Sequence, residues 1–389
     1  MPSLKQAQLR HIALYEAILW QANELFLSGT TTARESIVQF DLNWENIQSA
    51  HSNAVLLANT DGTAAEFCSK YASSGAFILN LRQSPSERIV WLESALYHSR
   101  RLGNRLAEGW HLGNLGNAYR DIGENEKAIQ RFEKGLEIFR EMQDLRAESS
   151  FYSNLGNIYS DIAEYEKAIA AYSNALKIDD TTGEKKGHGL TLSNLGLVYL
   201  NKGEPQKAID YFNKALEILQ NETYGDSRGT SQALTGMGMA YVHMGNLQGA
   251  IGYYSRAMEI SRALKDDDTL GTVINNLGNI YLDLGKLDEA IQCYEESLDI
   301  SKHRADRRGE EIALSNLGNI YLRMGNFAKS IRCYKQSLKL DRAVGDVVGE
   351  ATEFANVGSI LQARGKLHLA IAFYEKALEM FRSTDYRKG

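Results

Sequence analysis

Polar and apolar positions alternate along this chain with the period of amphipathic helices. The stretch SNLGNIYSDIAEYEKAIAAYSNAL, residues 153–176, reads as two such helices joined at a tight turn. Two asparagines, Asn154 and Asn157, lie inside the first. Asparagine is a poor interior helix former because its amide competes for backbone hydrogen bonds, so something must offset their cost.

The block recurs as HLGNLGNAY (111–119), LSNLGLVYL (192–200), LTGMGMAY (234–241), NNLGNIYL (275–282), SNLGNIYL (315–322) and ANVGSIL (355–361). Its anchoring glycines are Gly116, Gly156, Gly196, Gly238, Gly278, Gly318 and Gly358, spaced by 40 residues with one step of 42. Three residues after the glycine stands a tyrosine (Tyr119, Tyr159, Tyr199, Tyr241, Tyr281, Tyr321), replaced by Leu361 in the last unit. Seven after it comes a second glycine (Gly123, Gly203, Gly245, Gly285, Gly325, Gly365; Ala163 is the exception), suited to the left-handed conformation that ends a helix. A small residue follows at Ala128, Ala168, Ala208, Ala250, Ala290, Ser330 or Ala370. One turn later comes a large aromatic: Phe132, Tyr172, Phe212, Tyr254, Tyr294, Tyr334 or Tyr374. Each unit therefore predicts a helical hairpin built on small-against-large packing, and the whole predicts an all-α solenoid.

This grammar resembles the tetratricopeptide repeat over residues from about 107 to 383. The resemblance implies a right-handed superhelix whose first helices line a concave groove that contacts ligand. No unit has the usual proline closing its second helix, and the period is 40 instead of ~34, so longer helices are expected. Family variants with long periods include the GoLoco-containing spindle-orientation adaptors, rapsyn and kinesin light chain. The NLGN string is shared with the first of these.

Residues 1–65 are expected to form a helical cap, 66–106 a degenerate hairpin of repeat type, and 107–389 the seven repeats. FDLNWENIQSAHSNAVLL (40–57) and WLESALYHSRRLGNRLAEG (91–109) resemble the linker joining bacterial NB-ARC-type (STAND) signalling ATPases to their repeat sensors. The chain has no GxxxxGK[ST], so an ATPase partner would lie outside it.

Composition narrows the function. The chain is 43% hydrophobic and 24% charged with a net charge of −6, which gives no electrostatic footprint for nucleic acid or an anionic membrane. The N-terminus lacks a signal peptide's apolar run, and no segment reaches membrane-spanning length. A cytoplasmic protein is expected, with Cys68, Cys293 and Cys333 as reduced, packed thiols and no cofactor or metal. His11, His51, His98, His111, His188, His243, His303 and His368 form no HExxH and read as scattered surface residues. Asp266, Asp267 and Asp268 lack the alternating ligands of a calcium loop and read as a solvated turn. No serine sits in a GxSxG elbow, so the expected function is non-enzymatic.

The asparagines carry the functional signal. One precedes the anchoring glycine by two residues (Asn114, Asn154, Asn194, Asn276, Asn316, Asn356) and one directly follows it (Asn117, Asn157, Asn279, Asn319). Residues three apart share a helix face. An amide offers a donor and an acceptor, matching the main chain of an extended peptide. Alternatively, the amides bond neighbouring helices together. Specificity would come from Arg120, Asp121, Asp161, Asn201, His243, Asp283 and Arg323 one turn on, a mixed set without the lysines and arginines of a carboxylate clamp. The row breaks at Leu197, Ser359, Gly236 and Met239; Met237, Met239 and Met244 read either as a soft apolar pocket or as the mark of a drifted fourth repeat. The leading expectation is a scaffold binding a segment of a partner protein. Sensing for a signalling ATPase and structural self-association are the alternatives. Alanine at Asn154, Asn157, Asn316 and Asn319 is expected to weaken binding with little effect on stability.

Overall fold

A computed structural model describes residues 3–27, 31–221, 223, 225–304 and 306–385. The described residues form eighteen α-helices and one 3-10 turn, with no strand. Two compact units divide at Asn194/Leu195, within the ninth helix.

The first unit opens with α1 (Leu4–Leu27), α2 (Thr31–Ala58) and α3 (Gly62–Ser74), then the 3-10 turn Ile78–Leu81 and α4 (Pro85–Arg101). The boundary expected between 65 and 66 falls inside α3, because Asp61 caps that helix by accepting from Ala64 N. Hairpins α5 (Arg105–Asp121) with α6 (Asn125–Met142) and α7 (Leu145–Asp161) with α8 (Tyr165–Thr182) follow, then α9 (Lys185–Asn201). The second unit continues with α10 (Pro205–Leu219), α11 (Ser227–His243), α12 (Leu247–Leu264), α13 (Asp267–Asp283), α14 (Leu287–His303), α15 (Arg307–Arg323), α16 (Phe327–Val344), α17 (Val347–Ala363) and α18 (Leu367–Asp385).

The anchoring glycines owe their place to the aromatic that follows 16 residues later. A Cβ on Gly278 would stand 2.7 Å from the Tyr294 ring, and one on Gly318 would stand 2.4 Å from that of Tyr334. The ring packs against the first helix where any side chain would clash, so the hairpin closes tightly. All of Tyr172, Tyr254, Tyr294 and Tyr334 are at most 2% exposed.

The hairpin turns bear out the second row of glycines. Gly123 and Gly203 have φ of 77° and 76°, and Ala163 adopts the same left-handed conformation at φ 59°. The second helices, 18 residues long in α6 and α8, end without proline at a left-handed residue, Gln143 (φ 56°) or Gly183 (φ 74°). The next first helix starts at once on an acidic or amide cap: Asp144 accepts from Ala147 N at 3.1 Å and Asp306 from Gly309 N at 3.0 Å. Asp266 occupies the equivalent position. It is 6% exposed, accepts from Thr269 Oγ1 at 2.9 Å and pairs with Arg228 at 3.2 Å, while Asp267 and Asp268 form the first turn of α13. The aspartate run is thus a helix start and not a solvated turn.

The histidines also depart from expectation. His51, His98 and His111 are 6%, 4% and 0% exposed, in the core of the first unit. His51 stacks on Trp91 with ring centroids 3.7 Å apart, and His111 Nε2 lies 3.1 Å from Ser69 Oγ. Burial lowers the pKa of both His51 and His111 to about 4. The three cysteines are free thiols. No described helix is long and apolar enough to cross a membrane, and no described group of three His, Cys, Asp or Glu is placed to hold a metal ion.

Candidate functional site

Successive first helices touch: α3 with α5 in the first unit, and α11 with α13, α13 with α15 and α15 with α17 in the second. Each unit therefore presents a face of side-by-side first helices. None of the asparagines or specificity residues named from the sequence is buried. Asn117, Asn279, Asp121, Asp161, Asn201, His243, Asp283 and Arg323 are exposed, and Asn114, Asn154, Asn157, Asn194, Asn276, Asn316, Asn319, Asn356 and Arg120 are half-buried.

In three repeats the asparagine after the glycine has a partner inside its own hairpin. Tyr172 Oη donates to Asn157 Oδ1 at 2.6 Å, Tyr294 Oη to Asn279 Oδ1 at 2.5 Å and Tyr334 Oη to Asn319 Oδ1 at 2.7 Å. Ser359 replaces the amide in the last repeat, its Oγ 3.1 Å from Tyr374 Oη. A buried hydroxyl needs an acceptor, and the first helix supplies one at its surface. Because Oδ1 is turned toward the tyrosine, Nδ2 is left on the other side of the amide. The amides thus present donors more than the mixed donor and acceptor read from composition alone.

The departures obey the same rule. Leu197 faces Phe212, which has no hydroxyl to satisfy, and Met239 replaces asparagine in the hairpin of Tyr254, which instead bonds Asn276 of the next repeat. Gly236 exists for packing: a Cβ there would lie 2.4 Å from the Phe212 ring. The three methionines form no common pocket. Met237 is core at 1% exposure, Met239 is half-buried, and Met244 caps the end of α11 at 51% exposure.

The asparagine before the glycine is used differently. Asn194 Nδ2 donates to Asn157 Oδ1 at 3.2 Å and Asn316 Nδ2 to Asn275 Oδ1 at 3.1 Å, so these amides bridge neighbouring first helices. Asn154 Nδ2 turns back to Ser150 O at 2.9 Å, and Asn356 Nδ2 donates to the buried Glu353 at 3.2 Å. Of the charged set, Arg120 pairs with Asp161 at 2.6 Å, and Asp121 pairs with Arg88. The structure thus joins two members of the set to each other and a third to a residue not singled out in the sequence. The tyrosine–asparagine linkage was visible in the sequence as pairs 15 residues apart at 157/172, 279/294 and 319/334, with Leu197/Phe212 lacking both groups and Asn117/Phe132 and Met239/Tyr254 as exceptions.

No curated protein sequence matches the chain. Among solved structures, a Rap protein complexed with competence and sporulation factor is 14% identical, with 96% of this chain and 98% of that one covered and a TM-score of 0.58. The apo quorum sensor NprR from B. thuringiensis is 14% identical, with coverage of 89% and 97% and a TM-score of 0.62. A signal transduction ATPase with numerous domains and a tetratricopeptide repeat sensor, from Pyrococcus horikoshii, is 15% identical, with coverage of 96% and 64% and a TM-score of 0.61. At these identities the likeness is one of fold. The tetratricopeptide repeat model matches residues 77–141, 148–221, 229–303 and 309–383, well over half of the sequence. The chain belongs to the tetratricopeptide repeat family.

Proposed function

We propose that the protein binds an extended or partly helical segment of another polypeptide along its first-helix faces, as a non-enzymatic scaffold. The observation that carries this is the set of amides held by tyrosine hydroxyls, Asn157 in the first unit and Asn279 with Asn319 on the touching helices α13 and α15 of the second. Each is pre-oriented, so little side-chain entropy is lost when it donates to a ligand carbonyl. Packed helices lie about 8–10 Å apart, so the neighbouring pair Asn279 and Asn319 would meet carbonyls roughly two to three residues apart on an extended chain. Each bond contributes roughly 0.5–1.5 kcal/mol net, and recognition of carbonyls is tolerant of ligand sequence. The fold likeness to a Rap protein complexed with competence and sporulation factor supports a ligand-binding role for the fold.

The expectation that alanine at Asn157 and Asn319 would spare stability does not survive the geometry, since it would strand Tyr172 and Tyr334. The test therefore copies the natural Leu197/Phe212 pair. Asn279→Leu with Tyr294→Phe and Asn319→Leu with Tyr334→Phe remove both amides together with the hydroxyls they satisfy. A partner captured from host lysate by the parent chain and lost by this variant, at similar melting temperature, supports the reading. Equal capture by both refutes it.

A second reading makes the chain the sensor of a signalling ATPase. It rests on the linker-like segments at 40–57 and 91–109 and on the Pyrococcus fold likeness, which extends over 96% of this chain. Co-purification with a P-loop ATPase, and a change in its nucleotide turnover on adding the chain, would support it; no effect on such an ATPase would remove it.

A further inference from the structure

A cavity of about 170 Å³ in the first unit lies between the end of α3, the turn after it, α4 and α5. Ala72, Leu79, Trp91 and Leu92 give it an apolar lining, and Asn114 and Asn117 form its edge on α5. The wall is rigidly placed: Asn23 Oδ1 accepts from Phe77 N at 3.0 Å and Ile78 N at 3.1 Å, pinning the turn. Trp91 is fixed from behind by its stack on His51.

Arg88, paired with Asp121, also lines the cavity, and two further polar features mark it. Gln83 is only 7% exposed, and its Oε1, in the lining, has no hydrogen-bond partner. A buried acceptor left unpaired is costly and rare. Asn117 is the one asparagine of its row set opposite a phenylalanine, Phe132, so no tyrosine hydroxyl holds its oxygen. The amide locked elsewhere is unlocked at this cavity.

We infer that the cavity is an anchor pocket for one aromatic side chain of the bound polypeptide. An indole N–H or phenol O–H donates to Gln83 Oε1, the ring lies among Trp91 and Leu92, and the main chain leaves past Asn114 and Asn117. The volume suits a single side chain; pockets for drug-sized ligands run ~300–1,000 Å³. The pocket chemistry stands on the cavity alone, while the peptide as source of the ring rests on the scaffold reading above.

The test titrates the full chain with N-acetyltryptophanamide and its 1-methyl-indole analogue, which lacks the donor, by calorimetry and saturation-transfer NMR. The parent amide is expected to bind about fivefold or more tighter than the methylated one. Gln83→Met should erase that preference, and Ala76→Leu, narrowing the cavity lining independently of Gln83, should abolish binding of both. Absence of binding to the parent chain, a preference that survives Gln83→Met, or unchanged binding by a folded Ala76→Leu variant each overturns the pocket. Probe binding as expected, with lysate partners still retained by the paired amide variant, would keep the pocket and discard the groove. Loss of lysate partners with no probe binding would do the reverse.

Discussion

The hydroxyl of Tyr334 donates to Oδ1 of Asn319 at 2.7 Å, joining the buried ring of a second helix to the surface of the first. The tyrosine is 1% exposed, so its hydroxyl depends on that amide. Asn319→Leu alone is predicted to cost about 1–3 kcal/mol in urea unfolding, through the stranded hydroxyl. Adding Tyr334→Phe should recover most of it, as in the Leu197/Phe212 hairpin. Equal losses in the single and double variants would show that the bond contributes nothing.

Helix propensity and packing predict opposite signs at Gly278. In an exposed helix, glycine to alanine gains about 1 kcal/mol. Here the new Cβ would meet the Tyr294 ring at 2.7 Å, and overpacking of this kind costs typically 1–3 kcal/mol. Gly278→Ala should therefore lower the melting temperature; a rise would mean that the ring moves aside freely.

Ala163 closes its hairpin at φ 59°, where six sister repeats use glycine. The left-handed conformation costs a non-glycine residue roughly 1–2 kcal/mol, against about 0.5–1 kcal/mol of extra chain entropy for glycine. Ala163→Gly should stabilise the fold by up to about 1 kcal/mol, read as a higher urea midpoint at unchanged m-value.

Acid should weaken the first unit through its buried histidines. In the folded state burial holds the pKa of His51 and His111 at about 4, below the usual value of 6.5, so the unfolded chain takes up protons first as pH falls. Stability should be full above pH 6.5 and decline toward pH 4, by on the order of 3 kcal/mol per residue. His51→Phe, which keeps a ring against Trp91, should flatten part of that decline in a series of thermal melts.

The second unit should show the reverse trend at Asp341. Burial, reinforced by Glu311 and Glu353, raises its carboxyl to about 7 from the usual 3.8, so the folded state holds a proton that the unfolded chain has lost. Its contribution is full below pH 3.8 and fades as pH rises through 7. Asp341→Asn should therefore stabilise most at alkaline pH. A gain independent of pH would assign the effect to packing alone.

Much of this architecture was legible in the residues. The 40-residue spacing of Gly156, Gly196 and their counterparts placed the hairpins, because a ring can pack this close to a helix only where no Cβ stands. Gly123 and its row placed the turns, because only a residue tolerant of positive φ ends a helix in that way. The caps Asp144, Asp306 and Asp346 carry the same period and were there to be read as helix starts.

What tertiary structure alone decided is how each polar side chain spends its hydrogen bonds. Helical periodicity places Asn157 and Asn194 on a shared face, but whether two amides bond each other depends on the lateral packing of α7 and α9. Periodicity likewise marks His51 and His111 as polar residues between apolar neighbours, and only the packing of α2, α3, α4 and α5 removes them from water. Local pattern determines which way a residue points along its own helix. The distance to a partner many residues away is set by how the helices stack, and that distance fixes both the charge of a buried ring and the direction of a surface amide.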